Sequence, residues 1–287
     1  MRIKVEDKEG KRKRQVLSKQ LKDIEKQEEK ILYKKENTFI KDKIVKDKII
    51  QEKIIPLANM IQNKIPARLI DTLDAAFYKG FCLVFEKGNT YIEKTYNKDK
   101  KQLEFDLNNY AIDKKLSKKH IKKLDKPSNY SKAINSSIAV LEGGVLGLLG
   151  IGIPDIPLLI AVIVRTVNEI ALSYGYQYER EEEKAYILYI ICGAMTKGET
   201  QREFDQKINL LGQLLDSNQG TQIQLEEEMK ITASILSESL LTAKFIQGIP
   251  VVGIVGGVVN HNIISKIGKY AKLKYKKRYL LKKADEI

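Results

Sequence analysis

Residues 141–176 read LEGGVLGLLGIGIPDIPLLIAVIVRTVNEIALSYGY. The stretch is long enough to cross a bilayer, since about 20 apolar residues suffice. Its content favours a protein core instead, because Asp155 near the centre of a span would cost about 3 kcal/mol and the two prolines beside it interrupt a continuous helix. We therefore predict two elements, a helix over about 133–149 that ends in a glycine-rich turn and a buried helix over 156–174 that Asp155 caps.

The few polar residues of the second helix are predicted to share one side of it. At 100° per residue, Asp155, Arg165, Glu169 and Tyr176 fall within about 80° of one another, and the Arg–Glu spacing of four suits an ion pair. One interpretation is a buried ion pair that fixes how the helices pack. The other is a polar pocket inside an apolar bundle, because buried ionisable groups are costly and cluster at functional sites. The sequence leaves both interpretations open.

A second apolar stretch, QGIPVVGIVGGVVNHNIIS at residues 247–265, also opens with a Gly-x-Pro turn. Each stretch has glycines one helical turn apart, Gly143 with Gly147 and Gly253 with Gly257, and small residues at this spacing let helix backbones approach closely. We predict an all-α fold, a compact multi-helix bundle with these two Gly-rich apolar helices packed together at its centre.

Hydrophobic periodicity predicts further amphipathic helices along the chain. They cover residues 66–84, 103–124, 200–216, 219–245 and 265–283. No segment shows the alternation of a strand, so no strand is predicted anywhere in the chain.

The N-terminal fifty residues differ in composition from the rest. A narrow apolar stripe from about Gln15 predicts a helix, with Glu28 at the position where the next apolar residue is due; the stripe consists of Leu17, Leu21, Ile24 and Ile31. This helix is either a short coiled-coil arm or a helix laid on the domain, and disorder is expected before it. We predict a Lys-rich extension at 1–50 and one helical domain at 51–287.

Charge is distributed unevenly along the sequence. The chain has 51 basic and 37 acidic residues, a net charge of +14. Residues 1–126 carry +13, residues 127–263 carry −6, and residues 264–287 carry +7. Basic ends of this kind indicate an anionic partner, either phospholipid or nucleic acid, or else a lysine-rich solvated surface without a partner.

No catalytic constellation is readable in the sequence. The segment GAMTKGET at 193–200 has an acid where a phosphate-binding loop needs lysine. His120 and His261 have no partners at ligand spacing, so neither a metal nor a cofactor is expected. Cys82 and Cys192 lie in apolar surroundings and the start of the sequence has no secretory pattern, which indicates the cytoplasm.

The two apolar stretches resemble the two core blocks of the EcsC-like family of bacterial proteins. In the first block the matching positions are the glycines after Glu142, the turn Asp155-Ile156-Pro157, Arg165 with Ile170 and Ala171, and the end Tyr174-Gly175-Tyr176. The second block is KFIQGIPVVGIVGGVVN at 244–260, and the basic tail with Tyr270 and Leu280 is similar to the family's close. The resemblance covers about residues 53–283.

The family is named after the third gene of an operon that encodes an ABC transporter. The resemblance therefore implies a bacterial, largely helical protein with a link to membrane transport or secretion, and no mechanism. We expect a binding protein that acts at an anionic membrane surface, as a peripheral protein or as an accessory of a membrane transporter, in the cytoplasm and at the inner face of the cell membrane. The alternatives are an enzyme or lipid-handling protein with a pocket at Asp155, Arg165 and Glu169, and nucleic-acid binding by the basic N-terminal arm.

Overall fold

The computed structural model describes residues 2–32, 67–88, 92–93, 96–125, 155–246 and 257–287. These residues form nine α-helices and no strand, which confirms the predicted all-α, compact helical bundle. The helices are α1 (Arg2–Leu32), α2 (Ala67–Leu83), α3 (Lys98–Lys114), α4 (Lys118–Leu124), α5 (Asp155–Ser173), α6 (Glu181–Met195), α7 (Gly198–Asp216), α8 (Leu225–Ile246) and α9 (Gly257–Asp285). A π-helical turn, Val84–Gly88, continues α2.

Helix α5 is the core helix of the bundle. It packs against α2, α3 and α9, and its side chains are buried on almost every side, as its apolar sequence predicts. Within the described ranges it is the one helix long and apolar enough to cross a membrane, yet 83% of its window Ile156–Ser173 is buried inside the bundle. Around it, α2 pairs with α8, α6 lies against α7, α8 and α9, and α9 also contacts α1.

The N-terminal helix begins earlier than its apolar pattern predicts. Disorder is expected before Gln15, but α1 is helical from Arg2. Lysine, arginine, glutamate and glutamine are good helix formers, and α1 buries Leu17 and Ile24 while it packs along α9. Of the two predicted arrangements, the structure shows a helix laid on the bundle. The predicted domain boundary at residue 50 lies outside the described residues.

The single helix predicted over 103–124 is two helices in the structure. Asn97 begins α3, because its side chain accepts a hydrogen bond from the Lys100 backbone N–H (2.8 Å). Ser117 begins α4 in the same way, with the His120 N–H as donor (3.3 Å). Serine and asparagine are preferred at such N-caps, and the Ser117 cap explains why the chain breaks after α3.

The end of α5 turns on a glycine. The Tyr176 N–H donates to the Ala171 carbonyl (3.0 Å) and the Gly175 N–H donates to the Leu172 carbonyl (3.0 Å), which is the Schellman arrangement. Gly175 has φ +80°, and a Cβ added there would collide with the Phe105 ring. The residue is therefore required for its backbone conformation and for the close approach of α3.

The predicted pair of Gly-rich helices is only partly within the described residues. The helix expected over 133–149, with Gly143 and Gly147, lies outside them, and so does Gly253. Gly257 is the first residue of α9, but its contacts are not among those described. Mutual packing of the two helices stays a prediction.

Candidate functional site

The predicted polar residues of α5 include one buried ion pair. Arg165 Nε donates to Glu169 Oε1 at 2.9 Å, and both side chains are buried. Lys101 from α3 approaches the other oxygen of the same carboxylate, with Nζ 3.3 Å from Oε2. The Glu169 carboxylate therefore receives one cation from its own helix and one from α3, and the Lys101 contact joins α5 to α3.

A pair of tyrosines adjoins this ion pair. The Arg165 guanidinium lies 5.8 Å from the centre of the Tyr96 ring. The Tyr96 and Tyr178 hydroxyls share a hydrogen bond of 2.5 Å, and Tyr178 also donates to Glu93 Oε1 at 2.8 Å. Burial raises the pKa of both tyrosines above the ordinary value. Both hydroxyls therefore stay protonated and act as hydrogen-bond donors and acceptors.

The described contacts do not bring the other two residues of the predicted stripe to this ion pair. Asp155 begins α5, but its side chain is outside the described residues. Tyr176 lies beyond the end of α5, which is at Ser173, so the helical spacing that relates it to Arg165 and Glu169 does not apply. Its ring lies 4.1 Å from the Arg278 guanidinium, on α9. A pocket formed by the four predicted residues, and a functional role for each of them, stay predictions.

A second group of buried charges lies where α1, α6, α7 and α9 meet. We call it the α9 cluster, and define it as Glu28, Glu183, Asp205, Asp216, Tyr270, Lys274, Lys277 and Arg278. Its first half joins α1 to α9, because Glu28 accepts from Lys274 Nζ (2.5 Å) and from Lys277 Nζ (2.7 Å). Lys274 also pairs with Asp205 of α7, and the Tyr270 hydroxyl donates to Asp205 Oδ1 at 2.6 Å.

The second half of the α9 cluster is centred on Arg278. Its Nη2 lies 2.8 Å from Glu183 Oε1, its Nη1 donates to Glu183 Oε2 (3.0 Å), and its Nε donates to Asp216 Oδ2 (2.8 Å). The guanidinium lies between the rings of Tyr176 and Tyr186, at 4.1 and 5.0 Å from their centres. Planar pairing of this kind is specific to arginine.

The pKa values of two acids in the cluster, Glu183 and Asp205, shift in opposite directions. Burial raises the pKa of Glu183 above its usual value, although Arg278 opposes the rise. Burial would also raise the pKa of Asp205, but the charge and hydrogen bond of Lys274 and the hydrogen bond of Tyr270 hold it below its usual value. Asp205 is therefore firmly ionised at neutral pH.

A cavity of about 450 Å³ lies over the α9 cluster, between α7 and α9. Charged residues of both signs line it, among them Asp216, Lys277, Arg278, Lys282 and Glu286. The three cations of the cluster are paired with carboxylates, so the buried charges act first on one another. The cluster's chemistry is that of a junction which holds four helices together, and no catalytic role follows from it.

Sequence reasoning missed the α9 cluster. One signal was present, since Tyr270, Lys274, Tyr275 and Arg278 mix aromatic and basic side chains along one helix. The acidic partners were not recognisable, because they come from three other helices.

The sequence profile of the EcsC protein family matches residues 18–280. The chain belongs to the EcsC protein family. In this EcsC-family chain the match begins inside α1 and includes all eight residues of the α9 cluster, whereas the resemblance noted from the sequence began at about residue 53.

An individual relative gives no activity for this EcsC-family chain. The chain is similar to the uncharacterized protein YdbA of Bacillus subtilis (strain 168), with 26% identity over 157 residues. The aligned part is 53% of this chain and 56% of the relative, so the chain spans about half the length of the curated relative that it matches. No solved structure matches the chain.

Proposed function

We propose that this EcsC-family chain binds the anionic surface of the cell membrane from the cytoplasmic side, as a peripheral protein. The observation that carries the proposal is the outward face of α1. Between residues 8 and 32 this helix exposes eight basic side chains and three acidic ones. The basic residues are Lys8, Lys11, Arg12, Arg14, Lys19, Lys22, Lys26 and Lys30.

The way in which α1 packs explains this excess. Leu17, Ile24 and Glu28 are buried against the bundle. The Glu28 carboxylate forms ion pairs with two lysines of α9. The buried side of α1 therefore takes up one of its acids, and the side that faces solvent keeps the cations. A basic face on a docked helix is a suitable contact for anionic phospholipid.

The electrostatic attraction of these cations to an anionic membrane is strong enough for reversible binding. Each lysine or arginine near an anionic membrane is worth about 1 kcal/mol. Several of the eight cations acting together therefore give useful affinity, which salt should weaken because the charges are exposed. A membrane transporter, the partner that the resemblance implies, would meet the chain at the same surface.

Vesicle flotation tests the proposal. The full chain is mixed with phosphatidylcholine vesicles or with vesicles that also contain phosphatidylglycerol, and the expected result is recovery with the anionic vesicles alone, falling as salt is raised. Reversal of three neighbours on α1, Lys19→Glu, Lys22→Glu and Lys26→Glu, should weaken binding by roughly a hundredfold or more, from the value of about 1 kcal/mol for each cation.

A matched control carries the same change of charge elsewhere. Lys79, Arg202 and Lys207 are exposed on α2 and α7, and their reversal to glutamate should leave most of the binding intact. Equal recovery with neutral and anionic vesicles, or recovery with neither, would overturn the proposal. Tight binding of a labelled DNA or RNA duplex by the same face, without vesicle binding, would favour the nucleic-acid alternative.

A further inference from the structure

Helix α3 exposes three large apolar side chains in a row. Leu103, Leu107 and Tyr110 are 58%, 62% and 59% exposed. Their spacing of four and then three residues places them on one side of the helix. We call these three side chains the α3 ridge.

The inner side of α3 is already used for packing. Ile112 is buried, Phe105 packs against the Tyr279 ring of α9 at 6.2 Å, and the Asn109 side chain accepts a hydrogen bond from the Tyr279 hydroxyl at 2.8 Å. The ridge is thus the outer side of a helix that is fixed to the bundle. Contiguous exposed apolar side chains of this size mark interaction surfaces in folded proteins.

The charges beside the ridge indicate which partner it meets. Lys100 and Lys114 are exposed on the same side of α3, one near each end of the ridge. Lys114 Nζ lies 4.7 Å from the centre of the Tyr110 ring. Residues 98–125 contain nine lysines against five acids. Two of these lysines, Lys98 and Lys101, are paired with Glu179 and Glu169, and Asp99 and Asp106 lie at one edge of the ridge.

Helix α4 adds the largest share of this charge. It is seven residues long, and it buries Ile121 and Leu124. Its four lysines, Lys118, Lys119, Lys122 and Lys123, are all exposed. A protein groove that covered the ridge would need acids opposite these lysines, whereas a bilayer with anionic headgroups supplies both an apolar layer and negative charge over a wide area.

We infer that the α3 ridge enters the headgroup and acyl boundary of an anionic bilayer, with the lysines of α4 at the phosphate level. The inference deepens the proposed function and rests on it for the membrane as partner. It adds a second contact, which is apolar and independent of the charge on α1. Leucine and tyrosine side chains next to lysine are the composition of helices that lie in the membrane interface.

The absence of tryptophan from the sequence makes a sharp experiment available. Tyr110→Trp places a single indole on the ridge of the full chain, and tryptophan is well suited to the membrane interface. Leu210→Trp is the matched control, because Leu210 is 59% exposed on α7, away from the ridge. Both proteins are titrated with neutral phosphatidylcholine vesicles and with phosphatidylglycerol-containing vesicles, each with and without brominated acyl chains, and their sedimentation with the vesicles is measured in parallel.

The expected result is a blue shift and quenching by brominated lipid for Tyr110→Trp, with neither effect for Leu210→Trp. In the wild-type background, Leu103→Gln with Leu107→Gln should weaken vesicle binding roughly tenfold or more, since apolar burial of two leucines is lost.

Each contrary outcome has a distinct meaning. Sedimentation with vesicles but no change in Tyr110→Trp emission overturns the insertion of the ridge and leaves the proposed function standing. If the wild-type chain sediments with none of the vesicles, both the insertion of the ridge and the proposed function are overturned. A blue shift that depends on protein concentration in the absence of vesicles replaces the bilayer with a second copy of the chain. An equal shift with neutral and anionic vesicles supports insertion and overturns the charge-based function.

Discussion

Replacement of Glu28 by glutamine tests whether α1 is held by its buried carboxylate. Glu28 is 6% exposed, and it accepts from Lys274 at 2.5 Å and from Lys277 at 2.7 Å. Glutamine keeps the shape of the side chain and removes the charge. The lysines of α9 then lose the carboxylate that α1 supplies.

The expected cost is about 2–3 kcal/mol. Removal of one partner from a buried ion pair typically costs about 3–5 kcal/mol, because the other charge is left without compensation. Two features reduce that figure. Lys274 keeps its pair with Asp205, and Lys277 is 20% exposed, so its ammonium can reach water.

Hydrogen exchange measured by mass spectrometry is the direct assay. Local opening of α1 should become easier by the same free energy, so its protected amides should exchange roughly 30 to 150 times faster, at 1.36 kcal/mol for each tenfold change. Glu29→Gln is the control, since Glu29 is the exposed neighbour on the same helix, and its effect should stay within about 0.5 kcal/mol. Wild-type exchange in α1 of the Glu28→Gln protein would refute the role given to this carboxylate.

Two further predictions concern stability. Lys274 and Tyr270 hold the pKa of Asp205 below its usual value. The contribution of Asp205 to the free energy of unfolding is therefore present above the unfolded pKa of about 3.9, and it is lost as the pH falls through the lower folded pKa. In urea unfolding, Asp205→Asn should flatten the dependence of stability on pH below about pH 4. Gly175→Ala should cost about 2 kcal/mol or more in the same assay, because φ is +80° and the Phe105 ring is in the way, whereas Gly220→Ala, which meets no atom within 4 Å, should cost much less.

The core helix was predictable because its signal is local. Helix α5 was predicted over 156–174 and lies at Asp155–Ser173, since an apolar run with a proline in its first turn specifies both burial and a start. The Arg165–Glu169 pair follows from the spacing of four alone. Tyr176 was predicted to continue the polar stripe of α5, but Gly175 supplies the left-handed residue that ends the helix before Tyr176. Its grouping with Arg165 and Glu169 stays a prediction.

The α9 cluster was not predictable because its partners are distant in sequence. Lys274 and Glu28 are separated by 246 positions, and periodicity carries information only within an element. Glu28 was noted as an interruption in the apolar stripe of α1. The structure shows that the interruption is itself a contact, since a buried acid takes the place of an apolar residue where α9 presents two lysines.

The fate of the C-terminal charge changes how the net charge of the chain should be understood. The tail from residue 264 carries +7 in the sequence, which suggested a second basic surface. In the structure at least five of its nine basic residues are in ion pairs with acids, three of them in the α9 cluster and the others, Lys276 and Lys283, with Asp125 and Asp113. Much of the positive charge of the tail is therefore paired with acids inside the protein, so less of it can attract an external partner. Among the described residues, α1 and α4 expose more basic than acidic side chains, which is why the proposed membrane contact is placed there and its tests use variants of α1 and α3.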